Sequence, residues 1–386
     1  MDERIDASPL ERLLRRAVRA AASDVHLTAG QPPLIRVAGD LAALPGYADP
    51  LPAEEVELLI TGILTPAQHD DFYAHGEVDL SYTAPGIGRF RVNVFRQLGE
   101  IAAALRLVPG RVYGLDELGV PPIVRDLALR PRGLVLVTGP TGSGKSTTLT
   151  AMVDIINRTR PAHVVTIEDP IEFVHRSRRS LIHQREIGAD TGSFGEALRR
   201  VLRQDPDVIL IGELRDTESI QAALSAAETG HLVLSTLHTQ GAAKSINRIV
   251  DAFDSSRQQQ VRAQLGDTLQ GILSQTLVPR AQDPGLTVAT EVLVNTSAVA
   301  NLIREGQVAQ LHSAMQAGRS LGMHTLDQDL ARLVGRGEVA RHVARATAND
   351  PATLDGVHVQ PTDLDAEAWS LRAGDVRELE RWGSAS

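Results

Sequence analysis

The first hundred residues combine one amphipathic helix with short segments of alternating polarity. Ser8 and Glu11 form a capping box around Pro9, and apolar residues then recur at helical spacing up to Ala21, which predicts a helix of about 14 residues. Further patterns predict strands over 24–27, 34–37, 78–82, 89–95 and 101–107, and helices over 54–64 and 66–74. These elements predict a small α+β domain over residues 1–107, followed by a Pro- and Gly-containing linker over 108–116.

The pattern changes after the linker, where nearly continuous apolar runs alternate with longer helical patterns. The predicted strands are 134–138, 163–167, 208–211, 232–236 and 286–294, and the predicted helices are 145–157, 194–203, 218–228, 257–277 and 298–336. Apolar strands alternating with helices predict an α/β domain over 117–348, with a parallel sheet covered on both faces. Periodicity is lost over 349–386, which predicts a mobile tail.

Composition limits the class of protein. The chain has 386 residues, 42% of them hydrophobic, which is enough for a folded core and fits two domains. A net charge of −9 and an aromatic content of 3% argue against a nucleic-acid-binding chain. The absence of Cys excludes disulfides and Cys-ligated zinc. No apolar stretch approaches the roughly 18 residues of a spanning helix, and the start is unlike a signal peptide, so we expect a soluble cytoplasmic protein.

A phosphate-binding loop stands between the strand 134–138 and the helix 145–157. The pattern GxxxxGK[ST] is matched by Gly139, Pro140, Thr141, Gly142, Ser143, Gly144, Lys145 and Ser146, with Thr147 following. In such a loop, backbone N–H groups surround the phosphates, Lys145 reaches the terminal phosphates and Ser146 ligates Mg²⁺. Lys145 and Lys244 are the only lysines in a chain with 39 basic residues. Retention of a lysine here supports the prediction of an ATP site, because a compact ammonium group on a flexible stem suits it.

Acidic residues follow two of the other predicted strands. Glu213 comes directly after 208–211, and a cluster that includes Glu172 follows 163–167. The carboxyl ends of parallel strands form the ligand-binding edge of such a sheet, so both acids are candidates for the nucleotide site. Glu213 could hold Mg²⁺ or the attacking water, or could be a helix cap. Either Glu172 or Glu213 could orient water, and the spacing does not choose between them.

Histidines and arginines supply further candidates. His231 and His238 flank a strand, and two His without Cys do not indicate a metal site. His238 could contact the γ-phosphate or have a structural role. Candidate arginine fingers lie on or beside the strand 89–95, where the alternative is a solvated strand face; they are Arg89, Arg91 and Arg96.

Four ordered motifs together resemble the secretion ATPases of type IV pili and type II secretion. They are GPTGSGKSTTL (139–149), TIEDPIEF (166–173), RQDPDVILIGELRD (203–216) and AAETGHLVLSTLHT (226–239). The segments 22–27, 298–305 and 322–328 resemble terminal signatures of the pilus retraction branch, the PilT family. The resemblance covers about residues 8–340.

The resemblance implies a hexameric ring, in which each subunit has a PAS-like N-terminal domain and a RecA-like ATPase domain. It implies that 139–147 bind ATP, that Glu172 is the general base, that Glu213 is the Walker B acid at the Mg²⁺ with Ser146, and that a histidine box ends at His238. It also implies that arginines of the N-terminal domain reach the nucleotide; these match Arg89, Arg91 and Arg96.

The function implied by the resemblance is ATP-driven retraction of type IV pili, and hence twitching motility. The motor would act on an inner-membrane platform protein from the cytoplasmic face, without entering the membrane or binding nucleic acid. Ala300 stands where the retraction signature usually has Arg, so an accessory, PilU-like motor remains an alternative. A nucleotide-binding regulator without turnover and a DNA translocase are rivals from other classes. The lack of a four-Cys zinc element and the short N-terminal part argue against the export ATPases.

Overall fold

A computed structural model of the protein describes residues 8–108 and 110–358. These residues form a mixed α/β fold with two sheets, as predicted. The chain divides into two units: within the described residues, the first contains 8–117, 125–135 and 146–236, and the second contains 118–124, 136–145 and 237–358. No helix among the described residues is long and apolar enough to cross a membrane.

The N-terminal part of the first unit has three helices and a six-stranded antiparallel sheet. The helices are α1 (Pro9–Arg19), α2 (Ala53–Thr61) and α3 (Pro66–His75). The strands are β1 (Asp24–Thr28), β2 (Leu34–Val37), β3 (Asp40–Ala43), β4 (Glu77–Ala84), β5 (Gly88–Gln97) and β6 (Glu100–Leu107). They pair in the order β3-β2-β1-β6-β5-β4. The sequence did not predict β3, because all four of its residues are exposed and carry no alternating pattern.

Helix α1 shows why the local sequence folds as it does. Its capping box is present, with the backbone N–H of Glu11 bonded to the Ser8 hydroxyl and that of Ser8 bonded to the Glu11 carboxylate. The helix buries Leu10, Leu13, Leu14 and Ala17, and each buried Leu contributes about 1.5–3 kcal/mol. The helix is shorter than predicted, because Ala21 adopts a left-handed conformation with φ 57°.

Strand β5 separates a buried apolar face from a polar one. Phe90, Val92 and Val94 point into the hydrophobic core. Arg89 and Arg91 alternate with them and therefore lie on the opposite face of the sheet.

The remaining strands form a seven-stranded sheet in the order β13-β12-β7-β11-β10-β8-β9. They are β7 (Gly133–Thr138), β8 (His163–Glu168), β9 (Leu181–Glu186), β10 (Val208–Ile211), β11 (Leu232–Leu237), β12 (Leu269–Pro279) and β13 (Leu286–Val294). Strands β8, β9, β10 and β11 pair in parallel, whereas β12 and β13 are antiparallel. Every residue of β7, β10 and β11 is buried, as expected for strands covered on both faces.

Ten helices complete the α-helical part of the described chain. Those before β11 are α4 (Ile123–Ala128), α5 (Lys145–Thr159), α6 (Phe194–Val201) and α7 (Thr217–Glu228). Those after β11 are α8 (Ala242–Asp251), α9 (Ser255–Thr268), α10 (Ser297–Arg304), α11 (Leu311–Ala317), α12 (Leu326–Gly335) and α13 (Arg341–Thr347). The sequence did not predict α8 or the edge strand β9.

Two predicted helices were wrong. The segment 257–277 contains α9 and then β12, because pairing along the whole of β13 outweighs the helical pattern after Thr268. The segment 298–336 contains three helices instead of one. Gly306, with φ 71°, follows α10, and Gly322, with φ 83°, precedes α12, so the chain turns at residues that tolerate this conformation.

The fold continues into the predicted tail. Leu354 is fully buried in a cluster with residues of α12 and β13. The carboxylate of Asp327 accepts the backbone N–H groups of Asn349 and Asp350 at 2.7 and 3.0 Å. Within 349–358, Asn349 and Asp350 are therefore held by hydrogen bonds and Leu354 by burial, whereas the rest of the predicted tail, 359–386, lies outside the described residues. The predicted domain boundaries remain a prediction.

Candidate nucleotide site

The loop after β7 has a backbone that requires glycine. Gly139, Gly142 and Gly144 all have positive φ, at 142°, 78° and 84°. A Cβ atom on Gly139 would lie 2.3 Å from the backbone oxygen of Gln275 in β12 and 2.6 Å from the Ser143 hydroxyl. The first glycine is therefore needed for a close approach of two backbones, and the others for conformation.

Lys145 places its ammonium group inside this loop. The side chain is 8% exposed, and its Nζ donates to the carbonyl oxygens of Gly139 and Pro140 at 3.0 and 2.8 Å. The hydroxyl of Ser143 is buried and has no hydrogen-bond partner within the described residues. An ammonium group and a buried hydroxyl beside a turn of glycines suit the oxygens of a phosphate group.

Helix α5 begins at Lys145, directly after the loop. It has 15 residues, so its N-terminus supplies several backbone N–H groups at the loop. Ser146 and Thr147 lie in its first turn and are half-buried. Together the loop, the lysine and the helix start fit the phosphates of a nucleotide.

The two histidines differ in their surroundings. His238 follows β11 and is exposed, and its Nδ1 lies 3.3 Å from the hydroxyl of Thr141 in the loop. The structure thus brings His238 to the loop that contains Thr141. His231 instead lies 3.0 Å from the backbone oxygen of Ala226 at the end of α7, through its Nδ1, which is a structural contact.

Glu213, in the first unit, follows β10 and is held by a neighbouring arginine. Arg215 Nε donates to its carboxylate at 2.7 Å, while Arg215 Nη1 lies 3.5 Å from the carboxylate of Asp169. The hydrogen bond that Arg215 donates to Glu213 raises the pKa of Arg215. One guanidinium therefore connects the strand end that carries Glu213 to the loop that carries Glu172.

Glu172 itself is exposed, and its loop is fixed by the end of β8. The carboxylate of Glu168 accepts hydrogen bonds from Thr166 at 2.6 Å and Gln184 at 3.1 Å, and from the backbone of Glu172. Burial raises the pKa of Glu168, and these hydrogen bonds only partly offset it. The hydrogen bonds that stabilise the charged form of Glu168 thus include the one that holds the Glu172 backbone.

The side chain of Arg89 is largely buried, so the alternative of a solvated strand face does not apply to it. Its Nη2 donates at 2.8 Å to the carboxylate of Glu186, the last residue of β9, and its Nη1 donates to Thr83 at 3.2 Å. Burial raises the pKa of Glu186, but hydrogen bonds from Ser81, from the backbone of Ile171 and from Arg89 outweigh it and leave this pKa below its usual value. Arg89 and Glu186 therefore form a largely buried, charge-assisted pair.

The other two arginines have different environments. Arg96 stacks over Phe72 and Tyr73 of α3, with its guanidinium carbon 5.2 and 5.3 Å from the ring centres. Arg91 is exposed, and it lines a polar cavity of about 370 Å³ that Asp169 and Glu186 also line. Of the three predicted fingers, Arg91 thus lines this cavity, whereas Arg89 pairs with Glu186 and Arg96 stacks on aromatic rings.

Residues 83–354 match the family described as type II/IV secretion system protein. The chain belongs to this family. It is 49% identical to the type IV pilus retraction ATPase PilT of Pseudomonas aeruginosa over 89% of this chain and 98% of that protein. It is 41% identical to the type IV pilus ATPase PilU of the same organism, over 89% of this chain and 90% of that protein.

A solved structure of the pilus retraction motor PilT with bound ADP has the same fold. It superposes with a TM-score of 0.83 at 44% identity, covering 91% of this chain and 99% of that one. The predicted membership of the secretion ATPases is therefore confirmed.

Sequence reasoning missed two residues that the structure brings to this region. Arg215 follows Glu213 by two positions, and no pattern indicated that it would join two loops. Glu186 ends β9, a strand that the sequence did not predict. The sequence signal that could have indicated Glu186 is its acidic side chain in the segment that follows the Glu172 loop.

Proposed function

We propose that this protein is an ATP-hydrolysing motor that retracts type IV pili. The observation that carries the proposal is its likeness to PilT over 98% of that protein, with the phosphate loop intact. We further propose a PAS-like N-terminal domain and a RecA-like ATPase domain. We also propose a hexameric ring, since a ring would give the alternating motions that a motor needs.

The proposed roles of the residues are those that the family resemblance implies, and the chemistry of the side chains supports them. Loop residues 139–147 bind the phosphates of ATP, and Lys145 contacts the terminal ones. Ser146 and Glu213 supply the oxygen ligands that Mg²⁺ prefers, and the ion would neutralise charge on the phosphates. Glu172 accepts a proton from the attacking water, and its exposed carboxylate has room for that water.

Two further contacts are proposed for the transferring phosphoryl group. His238 Nδ1 lies 3.3 Å from the Thr141 hydroxyl of the loop, which supports the proposal that its imidazole contacts the phosphates. Arg91 is the preferred arginine finger, because Arg89 and Arg96 are engaged by Glu186 and by aromatic rings. The motor would work at the cytoplasmic face of the inner membrane on a platform protein of the pilus.

The first experiment measures phosphate release with Mg²⁺ and ATP across a protein concentration series, with oligomer size from light scattering. Lys145→Ala should lose both ATP binding and turnover, whereas Glu172→Gln should keep binding and lose turnover. Lys244→Ala is the matched control, because Lys244 is the only other lysine and is exposed. Tight ATP binding without turnover by the unsubstituted hexamer would exclude the motor and favour a regulator.

An accessory motor is the second candidate, and Ala300 is the residue that favours it. Ala300 lies in α10 and is buried, and its carbonyl oxygen is 3.0 Å from the position that a Cβ on Gly266 of α9 would occupy. An arginine at 300 would place a charged side chain at a buried position. Restoration of twitching in a bacterium that lacks both pilus ATPases would establish a stand-alone motor, and restoration only together with a partner ATPase would establish the accessory role.

A further inference from the structure

Glu186 joins three parts of the first unit through one buried carboxylate. The side chain stands at the carboxyl end of β9 and is 5% exposed. It accepts the Arg89 guanidinium of β5 at 2.8 Å and the Ile171 backbone N–H at 3.0 Å, and it also hydrogen-bonds to the Ser81 hydroxyl of β4.

The contact with Ile171 bears directly on the proposed reaction. Ile171 immediately precedes Glu172, so a hydrogen bond to its N–H fixes the backbone from which the general base projects. The backbone of Glu172 is held in turn by Glu168, which lies opposite Glu186 in the register of β8 and β9. Two carboxylates at adjacent strand ends thus hold consecutive peptide groups of one loop.

The contact with Arg89 connects this loop to the antiparallel sheet. The Arg89 side chain is 20% exposed and its Nε is buried without a partner within the described residues. Its charge is therefore satisfied chiefly by Glu186, since the Thr83 hydroxyl supplies only a neutral acceptor. A shift of β5 would move the carboxylate, and with it the loop.

We propose that Glu186 is a positioning residue for ATP hydrolysis, which holds the Glu172 loop in register with Arg89 of β5. This inference rests on the proposed function. Glu186 touches no reacting atom; it acts through Glu172. The arrangement makes hydrolysis depend on the position of the N-terminal sheet, which is a route by which movement of that sheet controls turnover.

The test compares Glu186→Gln with the unsubstituted full-length protein. Glutamine keeps the shape and an oxygen for the Ile171 N–H, but it removes the charge that holds Arg89. We expect kcat to fall about 10- to 100-fold, because small displacements of a catalytic group have effects of this size. KM for ATP and the affinity for ADP should change by less than about twofold, because Glu186 is proposed to act on Glu172 and not on the residues that bind the phosphates.

A second comparison separates positioning from general stability. If Glu186 acts through Glu172, then Glu186→Gln should cause no further loss of single-turnover rate in a Glu172→Gln background. Independent, multiplicative losses would overturn the proposal. Asp24→Asn is the matched control, since it removes the charge of a carboxylate that pairs with Arg106 at 2.7 Å within the same sheet; it should leave kcat unchanged.

If the Glu186→Gln protein does not fold, the Arg89→Lys variant tests the proposal instead. Lysine keeps the charge but cannot bond to Glu186 and Thr83 through two guanidinium nitrogens at once, so kcat should fall while ADP affinity remains. An unchanged kcat in the folded variants, with turnover by the unsubstituted protein, would overturn this inference alone. Absence of turnover by the unsubstituted hexamer would overturn the proposed function, and the inference with it.

Discussion

The first glycine of the phosphate loop offers a direct test of the geometry. Gly139 and Gly142 both have positive φ, at 142° and 78°, but their surroundings differ. A Cβ on Gly139 would lie 2.3 Å from the Gln275 backbone oxygen, whereas a Cβ on Gly142 would have nothing within 4 Å. Alanine at the two positions therefore separates the effect of conformation from the effect of a backbone clash.

The magnitudes follow from these two contributions. A residue with a Cβ costs about 1–2 kcal/mol in the left-handed region of backbone angles, which Gly142 adopts. It costs about 1–3 kcal/mol at the backbone angles of Gly139, which only glycine favours. The clash adds about 1–3 kcal/mol, because the contacted atom is backbone and cannot rotate away. We expect Gly142→Ala to lower the free energy of unfolding by about 1–2 kcal/mol and Gly139→Ala by about 2–6 kcal/mol.

The assay combines urea unfolding, followed by circular dichroism, with an ADP titration. Gly139→Ala should also weaken ADP binding by about a hundredfold or more, because relief of the clash displaces the loop and about 2.8 kcal/mol corresponds to that factor. Equal destabilisation by the two variants would refute the reasoning, since it would show that the approach of the loop to β12 contributes nothing.

Three further predictions concern sites away from the loop. Burial lowers the pKa of His175 in the folded protein from 6.5 to about 4. As the pH falls below 6.5, the unfolded chain therefore binds a proton at this histidine before the folded protein does. The free energy of unfolding should fall by about 3 kcal/mol between pH 6.5 and about 4. His175→Gln should abolish this part of the acid destabilisation, as measured by urea midpoints at pH 7 and 4.5. Asp327→Asn should release the segment at Asn349 and speed its proteolysis, because an amide oxygen replaces a carboxylate that accepts two N–H groups. Leu354→Ala should destabilise the protein by about 2–5 kcal/mol in thermal or urea unfolding, since its side chain is fully buried; an effect below about 0.5 kcal/mol would contradict its place in the core.

Much of the candidate site could be predicted from the sequence, because its chemistry lies in short, contiguous motifs. The phosphate loop needs glycines, a lysine and a following helix in a fixed order, and the structure places Lys145 within the loop as that order requires. The same holds for β5, because the sequence pattern predicted a strand over 89–95.

The failures arose where a distant partner decides the local structure. Residues 269–277 fit a helical pattern, yet they form β12 because β13, reached only after an intervening turn, pairs with them. Strand β9 is a half-exposed edge, so its pattern of burial is weak. Glu186 went unrecognised for the same reason, since its importance depends on Arg89, 97 positions earlier in the chain.

The three arginines of β5 show what this means for function. In the sequence they are equivalent candidates, two positions and five positions apart. In the structure Arg89 is buried against Glu186, Arg91 lines an open cavity, and Arg96 stacks on two aromatic rings. Because the Arg89 guanidinium is buried and paired with Glu186, a movement of β5 can displace the loop that Glu186 holds. The Arg91 guanidinium is exposed, so it can contribute positive charge to a bound nucleotide. Substitution of Arg89 therefore probes the placement of the proposed general base, Glu172, and substitution of Arg91 probes its proposed contact with the phosphoryl group.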